Sequence, residues 1–546
     1  MKRVVYQVLC AGCAVLFGIT AAFSAEKART SGPLPFTEQP ALVFIIPPVE
    51  NISFMYEKFL PLKDHLEKAL SRKIVLKVAR NHQEAVESIG TGHAHIAYLD
   101  PSAYCEAKSR YGVVPLAKPV MGGSSTYRSV IVARSDSPIN KIVEAKGRRL
   151  ALGNSRSSSS SLIPAVLFKE VGIALKDFSA VDYLEQEDRI ALSVLAKRHD
   201  LGGMSERVAK KYLDAGLKII KESEPIPQYT LCACACLPEG TRNAIRRALL
   251  SIGTAENAKL IAAMKDIDGF TTAEDRDFDV VRVMIRNLTG KNYLVYGKNT
   301  VKVAHLPLYS AITLFDRFDP LMRYLSRKTG YEFKLVVPKD FEDFFDIVRR
   351  GEVEFSYSNP YIYIQLADGG HLRALTTTIV PASGDIFRGI IITHQDSAIR
   401  TLDDLKGRDI MVVSYKSAGG FLAQQLFLQE NGIDVFKDLR LREGKRQEEV
   451  ILNVYRKTAD AGFVRESALE VLKEEIDLGR IRIVAKTAYI ANWPFAATKS
   501  APEQLTTLVR KSLLELDDRS ILSAAKVEGF KAATDRDFDS LRELIK

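Results

Sequence analysis

The stretch TAEDRDFDVVRVMI, from Thr272 to Ile285, returns near the end of the chain as AATDRDFDSLRELI. The offset is 260 residues, Asp275 against Asp535, and it holds well beyond this motif. Lys146-Gly147-Arg148 matches Lys406-Gly407-Arg408, and Glu170-Val171-Gly172-Ile173 matches Glu430-Asn431-Gly432-Ile433. Asp200 pairs with Asp460, and Tyr127-Arg128 with Phe387-Arg388. Tyr98 and Pro101 pair with Tyr357 and Pro360 at 259, so a single one-residue slip aligns all these landmarks. A period this long means a duplicated domain, because solenoid repeats are far shorter. A chain of 546 residues also exceeds what one ordinary core serves.

Within each copy, short apolar runs alternate with amphipathic ones. ALVFIIPP reads as a buried strand, YEKFLPLKDHLEKAL as a helix, KIVLKVA as a strand, and HQEAVESIGTG as a short helix. AHIAYLDP is a third strand ended by proline. This order predicts an α/β fold with a mostly parallel sheet covered on both faces. Such sheets bind ligands beyond the carboxyl ends of their strands. Those ends are Pro47-Pro48 and Tyr98-Leu99-Asp100-Pro101, then His305-Leu306-Pro307 and Tyr357-Ser358-Asn359-Pro360.

Before the first copy, Lys2 and Arg3 precede an uncharged apolar run from Val4 to Phe23, with small residues Ala22 and Ser24 near its end. This reads as a secretory signal peptide over residues 1–25, followed by a leader at 26–40. The run approaches the length of a membrane span, which leaves an uncleaved anchor or a lipid-modified Cys13 as alternatives. No later segment reads as transmembrane, so a soluble mature protein outside the cytoplasm is expected. The copies are then residues 41–290 and 301–546, joined by 291–300.

A net charge of +10 comes from basic residues scattered among nearly as many acids, without a Lys/Arg block. That is a solvated surface with a mild bias toward anions, and no nucleic-acid partner is expected. Cys232, Cys234 and Cys236 alternate, which on a strand puts three thiols on one face, where neighbours bridge badly. They align with Asn492, Pro494 and Ala496, so buried packing is expected rather than a metal site.

LALGNSRSSSSSLIPAVLFKEVGI aligns without gaps to IMVVSYKSAGGFLAQQLFLQENGI. Five serines in a row suggest a linker, yet both copies hold this segment between a strand and a helix. Hydroxyls at the cap and Pro164 in the first turn mark a helix N-terminus. Free N–H groups, hydroxyls and the positive helix end favour an oxyanion there. The second copy offers Ser-Ala-Gly-Gly, an N–H nest with fewer hydroxyls.

Read in order, Tyr98-x-x-Pro101, Tyr127-Arg128-Ser129, Lys146-Gly147-Arg148, the serine loop and Asp200-x-Gly202 resemble the periplasmic phosphate/phosphonate/phosphite-binding proteins of ABC importers. The resemblance covers both copies, from about Ala41 to Lys546. It implies two tandem type II periplasmic-binding-protein domains, each of two α/β lobes around a ligand cleft. Crossovers between lobes are expected near Ala133 and Tyr229, and near Thr393 and Tyr489. Carried over by position, Ser155, Ser157, Ser158 and Ser159 would bind an oxyanion, faced by Tyr56, Tyr98 and Tyr127. In the second copy the counterparts are Tyr357, Asn359, Phe387, Ser414, Ser417, Gly419 and Gly420. The implied partners are a small phosphate-, phosphite- or phosphonate-class ligand and an ABC permease. A membrane kinase or chemoreceptor served by a tandem sensor is the alternative.

The family often carries Gly-Ser-His-Asp where the second lobe closes. This chain instead has Leu184-Glu185-Gln186-Glu187-Asp188 in one copy and Gly444-Lys445-Arg446-Gln447 in the other. The acidic run would repel a bare dianion and could receive an amine, whereas the basic run suits a more anionic ligand. Enzyme signatures such as Gly-x-Ser-x-Gly or a phosphate loop are missing from the sequence. No catalysis, metal or cofactor is expected.

Overall fold

The computed structural model describes residues 40–545, apart from 50–51, 254–256, 308, 382, 416, 445–446 and 473–475. The expected signal peptide and nearly all of the leader lie outside the described residues.

Apolar periodicity builds the first elements. Strand Leu42–Ile46 is buried almost throughout, and helix Ile52–Leu70 turns Met55, Phe59, Leu62 and Leu66 inward at spacings of three and four. Pro101 starts the helix Pro101–Tyr111 behind an Asp100 cap, and Gly112 ends it with φ of 70°.

The first lobe of the first copy is a six-stranded sheet. Its order is Gly269–Thr272, Val114–Val120, Thr230–Ala233, Ile96–Leu99, Leu42–Ile46, Ile74–Val78. The last three are mutually parallel, and Thr230–Ala233 is inserted antiparallel between Ile96–Leu99 and Val114–Val120. The sheet is therefore mixed rather than mostly parallel, because the chain leaves for the second lobe and returns into the middle of the first. The second lobe has five strands, ordered Leu217–Glu222, Ser129–Arg134, Leu201–Ser205, Arg149–Leu152, Ala180–Tyr183. The second copy repeats both sheets in the same order and adds the same short hinge.

The hinges correct two of the expected crossovers. In the first copy, Thr126–Tyr127 pairs antiparallel with Ile226–Pro227, and in the second Ile386–Phe387 pairs with Ile490–Ala491. Ala133 and Thr393 instead lie within second-lobe strands, Ser129–Arg134 and Gly389–His394. The hinge pairs are only two residues long and stop at Arg128 and Arg388, just before the apolar strands that hold the expected crossovers.

The cysteine expectation is also corrected. Strand Thr230–Ala233 stops before Cys234, so Cys234 and Cys236 sit in the turn that follows, free of strand alternation. Their Cα atoms are 5.2 Å apart and they form a disulfide. Cys232 and Cys105 are buried free thiols, as packing residues would be.

The repeated motif joins the copies. Arg282, fully buried on helix Asp279–Thr289, binds Asp275 and Asp279. Around it, Arg323 of the second copy reaches Asp277 at 2.6 Å and Glu274 at 2.9 Å, while Lys334 lies 3.2 Å from Asp279. One apolar cluster runs from Leu42 of the first copy through Leu314 and Phe333 of the second. No described helix is long and apolar enough to cross a membrane.

Candidate ligand-binding clefts

A cleft of about 630 Å³ lies between the lobes of the first copy. The first lobe supplies Met55, Lys58, Phe59 and Tyr98; the hinge supplies Tyr127, Gln228 and Tyr229; the second lobe supplies Ser159, Glu187 and Ser205. Aromatic rings form one wall. Phe59 and Tyr98 are 4.8 Å apart, Tyr98 stacks on Tyr229 at 5.0 Å, and Tyr127 lies 6.4 Å from Tyr229. Burial holds the phenols of Tyr127 and Tyr229 well above their usual range, so both stay neutral. The Tyr127 hydroxyl lies beside Ser158 and Ser159 without a well-formed hydrogen bond.

The serine run begins a helix, as its alignment predicts. Its first turn, Ser158–Leu162, is π-helical and continues into Ile163–Glu170, with the Ser157 hydroxyl accepting from the Ser160 N–H. The donors at this helix start already hold carboxylates of the chain itself. Asp100, with no exposed surface, accepts from the Ser158 N–H at 3.0 Å, the Ser158 hydroxyl at 2.7 Å and the Ser102 N–H at 2.8 Å. Glu187 accepts from the hydroxyls of Ser159 and Ser205, each at 2.5 Å. Burial pushes the Asp100 carboxyl up to about 6, although the bonds from Ser158 and Ser102 pull the other way.

Three of the seven residues expected in this copy line the cleft: Tyr98, Tyr127 and Ser159. Ser157 is engaged in capping and Ser158 in holding Asp100. Ser155 is exposed in the turn before the helix. Tyr56 is corrected: it is 40% exposed, because the helix turns Met55, Lys58 and Phe59 to the cleft instead. Arg128 donates to the Ser223 carbonyl, and Arg388 pairs with Glu466 through two nitrogens. Residue types alone did not single out Asp100, Lys58 or Tyr229. Asp100 stood inside the Tyr-x-x-Pro motif, and Glu187 inside the acidic run.

The second copy fills the same place differently. Tyr357 clusters with His305 at 5.1 Å, Phe318 at 5.4 Å and Trp493 at 5.2 Å. The His305 Nδ1–H donates to the Leu306 carbonyl, and its buried Nε2 has no partner among the described residues. Burial lowers this imidazole to about 4, so it is neutral. Phe387 packs so closely on Gly419 that a Cβ there would lie 2.7 Å from the ring. Gly420 is equally confined, by Val413. Ser417 caps its helix by accepting from the Gly420 N–H, and its own N–H reaches the Ser414 carbonyl. Asn359 caps the helix Pro360–Asp368. The Arg465 guanidinium lies 3.9 Å from the centre of the Phe387 ring.

Both copies match one family model, described as the periplasmic substrate-binding protein of phosphonate ABC transporters, over residues 44–278 and 303–538. The phosphate-import protein PhnD of Mycolicibacterium smegmatis is 23% identical over 274 residues, covering 45% of this chain and 84% of PhnD. The tetrathionate sensor histidine kinase TtrS of Salmonella typhimurium is 25% identical over 215 residues. That match spans 36% of this chain and only 36% of the kinase. Among solved structures, the binding component of a Pseudomonas aeruginosa ABC phosphonate transporter is 21% identical, with a TM-score of 0.42, covering 45% of this chain and 86% of that one.

Proposed function

Since the chain belongs to the phosphonate-type periplasmic substrate-binding family of ABC transporters, twice over, we propose that it is a solute receptor whose ligands carry a phosphate- or phosphonate-like group. The observation that carries this reading is the first-copy cleft, enclosed by both lobes and the hinge, with polar groups converging on an aromatic wall. Closure of the lobes on a ligand would create the surface that an importer recognises.

The charges of the cleft narrow the ligand. Lys58, Arg128, Arg207 and Lys210 are offset by Glu187, Glu206 and Asp266, which suits a zwitterion better than a bare dianion. Glu187 is the receptor for the amine, and the oxyanion meets the Tyr127 hydroxyl and Lys58. The test is a thermal-shift series on the full chain with phosphate, methylphosphonate and 2-aminoethylphosphonate. At least one raises the melting temperature by mass action, and no shift with any of them overturns the reading.

A second reading is favoured by the duplication together with the similarity to a sensor kinase. Ligand occupancy would then be reported to a membrane kinase. Affinity capture from membranes discriminates the two, because an importer permease and a histidine kinase are different partners.

A further inference from the structure

Five aligned positions around the helix start differ between the two clefts, while two cations of the first cleft, Arg207 and Lys210, become Ser467 and Glu470. Asp100 becomes Asn359, Glu187 becomes Gln447, Ser205 becomes Arg465, Ser158 becomes Ala418 and Ser159 becomes Gly419. Both acids are lost and a cation is gained.

The hydrogen bonds follow the exchange. In the first copy Asp100 and Glu187 neutralise the helix start from inside. In the second, the Asn359 side chain accepts from the Ile362 N–H of its own helix, and Gln447 accepts from the Arg465 backbone. The Ala418 N–H has lost the carboxylate that its counterpart Ser158 binds. Among the described residues no acid pairs with the Arg465 guanidinium, which lies on Phe387 and close to Tyr309 and Tyr357. Burial pulls this guanidinium down to about 10. A cation withdrawn from water without a counter-ion is costly, and a ring face offsets only part of that cost. Phe387 also replaces Tyr127, so this position offers the guanidinium a ring face and no hydroxyl.

We infer that the second cleft binds a solute of net negative charge, a small phosphonate or sulfonate, through a two-pronged ion pair with Arg465. Resting on the reading of both clefts as solute sites, this assigns bare oxyanions to the second copy and leaves the first to amine-bearing solutes. The His305 Nε2, 1% exposed against Tyr357 and Phe318, is a further acceptor without a partner among the described residues.

The chain carries its own reporter. Trp493 is its single tryptophan, 5.2 Å from Tyr357 in the second copy, so its emission senses that cleft and not the other. Methylphosphonate and methanesulfonate are titrated into the full chain, following heat and Trp493 emission together. The expected result is a saturable emission change with wild type. Its midpoint rises about tenfold or more in Arg465→Ala, as for loss of a charge-assisted bidentate contact. Arg465→Lys recovers part of the affinity. Should Arg465→Ala fail to fold, Arg465→Gln keeps the stem and removes the charge. Heat without an emission change, or an emission midpoint indifferent to Arg465, overturns the inference while the receptor reading stands. Absence of heat with every oxyanion and with 2-aminoethylphosphonate overturns both.

Discussion

Asp100 shows how one carboxylate changes what a loop can do. The serine run supplies donors suited to an oxyanion, and Asp100 from the other lobe takes them. Its carboxyl titrates near 6 in the folded protein against 3.8 when free, mainly because it is buried. A raised carboxyl favours the protonated folded state, so its stabilisation is complete below about pH 3.8 and is lost as pH rises through about 6. Asp100→Asn removes the titrating group, and its melting temperature falls less steeply than that of wild type between pH 4 and 6.5. Parallel melting curves for the two proteins across that window, followed by circular dichroism, would contradict the assignment. Glu187, 9% exposed on the cleft wall, is the proposed receptor for an amine. Glu187→Gln weakens 2-aminoethylphosphonate binding about tenfold, measured by calorimetry, as expected for loss of a charge-assisted bond.

Where helix meets strand in the second lobe, one packing problem has two solutions. In the first copy the strand Leu201–Ser205 passes under the helix with Gly203 against Pro164, and a Cβ there would lie 2.5 Å from the proline ring. The second copy has Phe463 and Gln424 at these positions. The Gln424 amide donates to the carbonyls of Ile390, Gly419 and Val464, in space left by Gly389. The glycines are exchanged as sets, so a substitution must respect the set it enters. Gly203→Ala overpacks the first copy and costs about 1–3 kcal/mol, read from the denaturant midpoint. Ser157→Ala removes the cap of the same helix at about 1 kcal/mol. A Gly203→Ala protein as stable as wild type would show that the helix shifts freely on its sheet.

At the scale of the whole molecule, the first occurrence of the repeated motif is a joint and the second is a surface. Asp277 is half-buried between Lys118 and Arg323, whereas Asp535, Arg536 and Asp537 are exposed. The shared apolar cluster joins the two first lobes, which are therefore expected to unfold as one cooperative unit. Arg323→Ala leaves Asp277 and Asp319 short of a cation. The expected loss is about 1–2 kcal/mol, since these pairs are partly exposed and screened. Calorimetry should then resolve two unfolding transitions where wild type shows one main transition, and an unchanged single peak would place the coupling elsewhere.

Duplication, strand and helix order, the helix start at the serine run and the family were all legible in the residues. Each is written locally or at a constant offset: periodicity sets the elements, caps set their ends, and two aligned copies act as an internal control. The two entry hinges were not legible, because a two-residue pairing such as Thr126–Tyr127 with Ile226–Pro227 is too short to leave a pattern and its partner lies about 100 residues away. Nor was the Cys234–Cys236 disulfide, which depends on the strand ending one residue before Cys234. The occupant of the serine loop was decided by tertiary structure alone. Asp100 and Ser158 are 58 residues apart and are brought together only by the packing of one lobe against the other. Position along the chain can show that a loop is able to hold an anion; which anion it holds depends on what the opposite lobe brings to it.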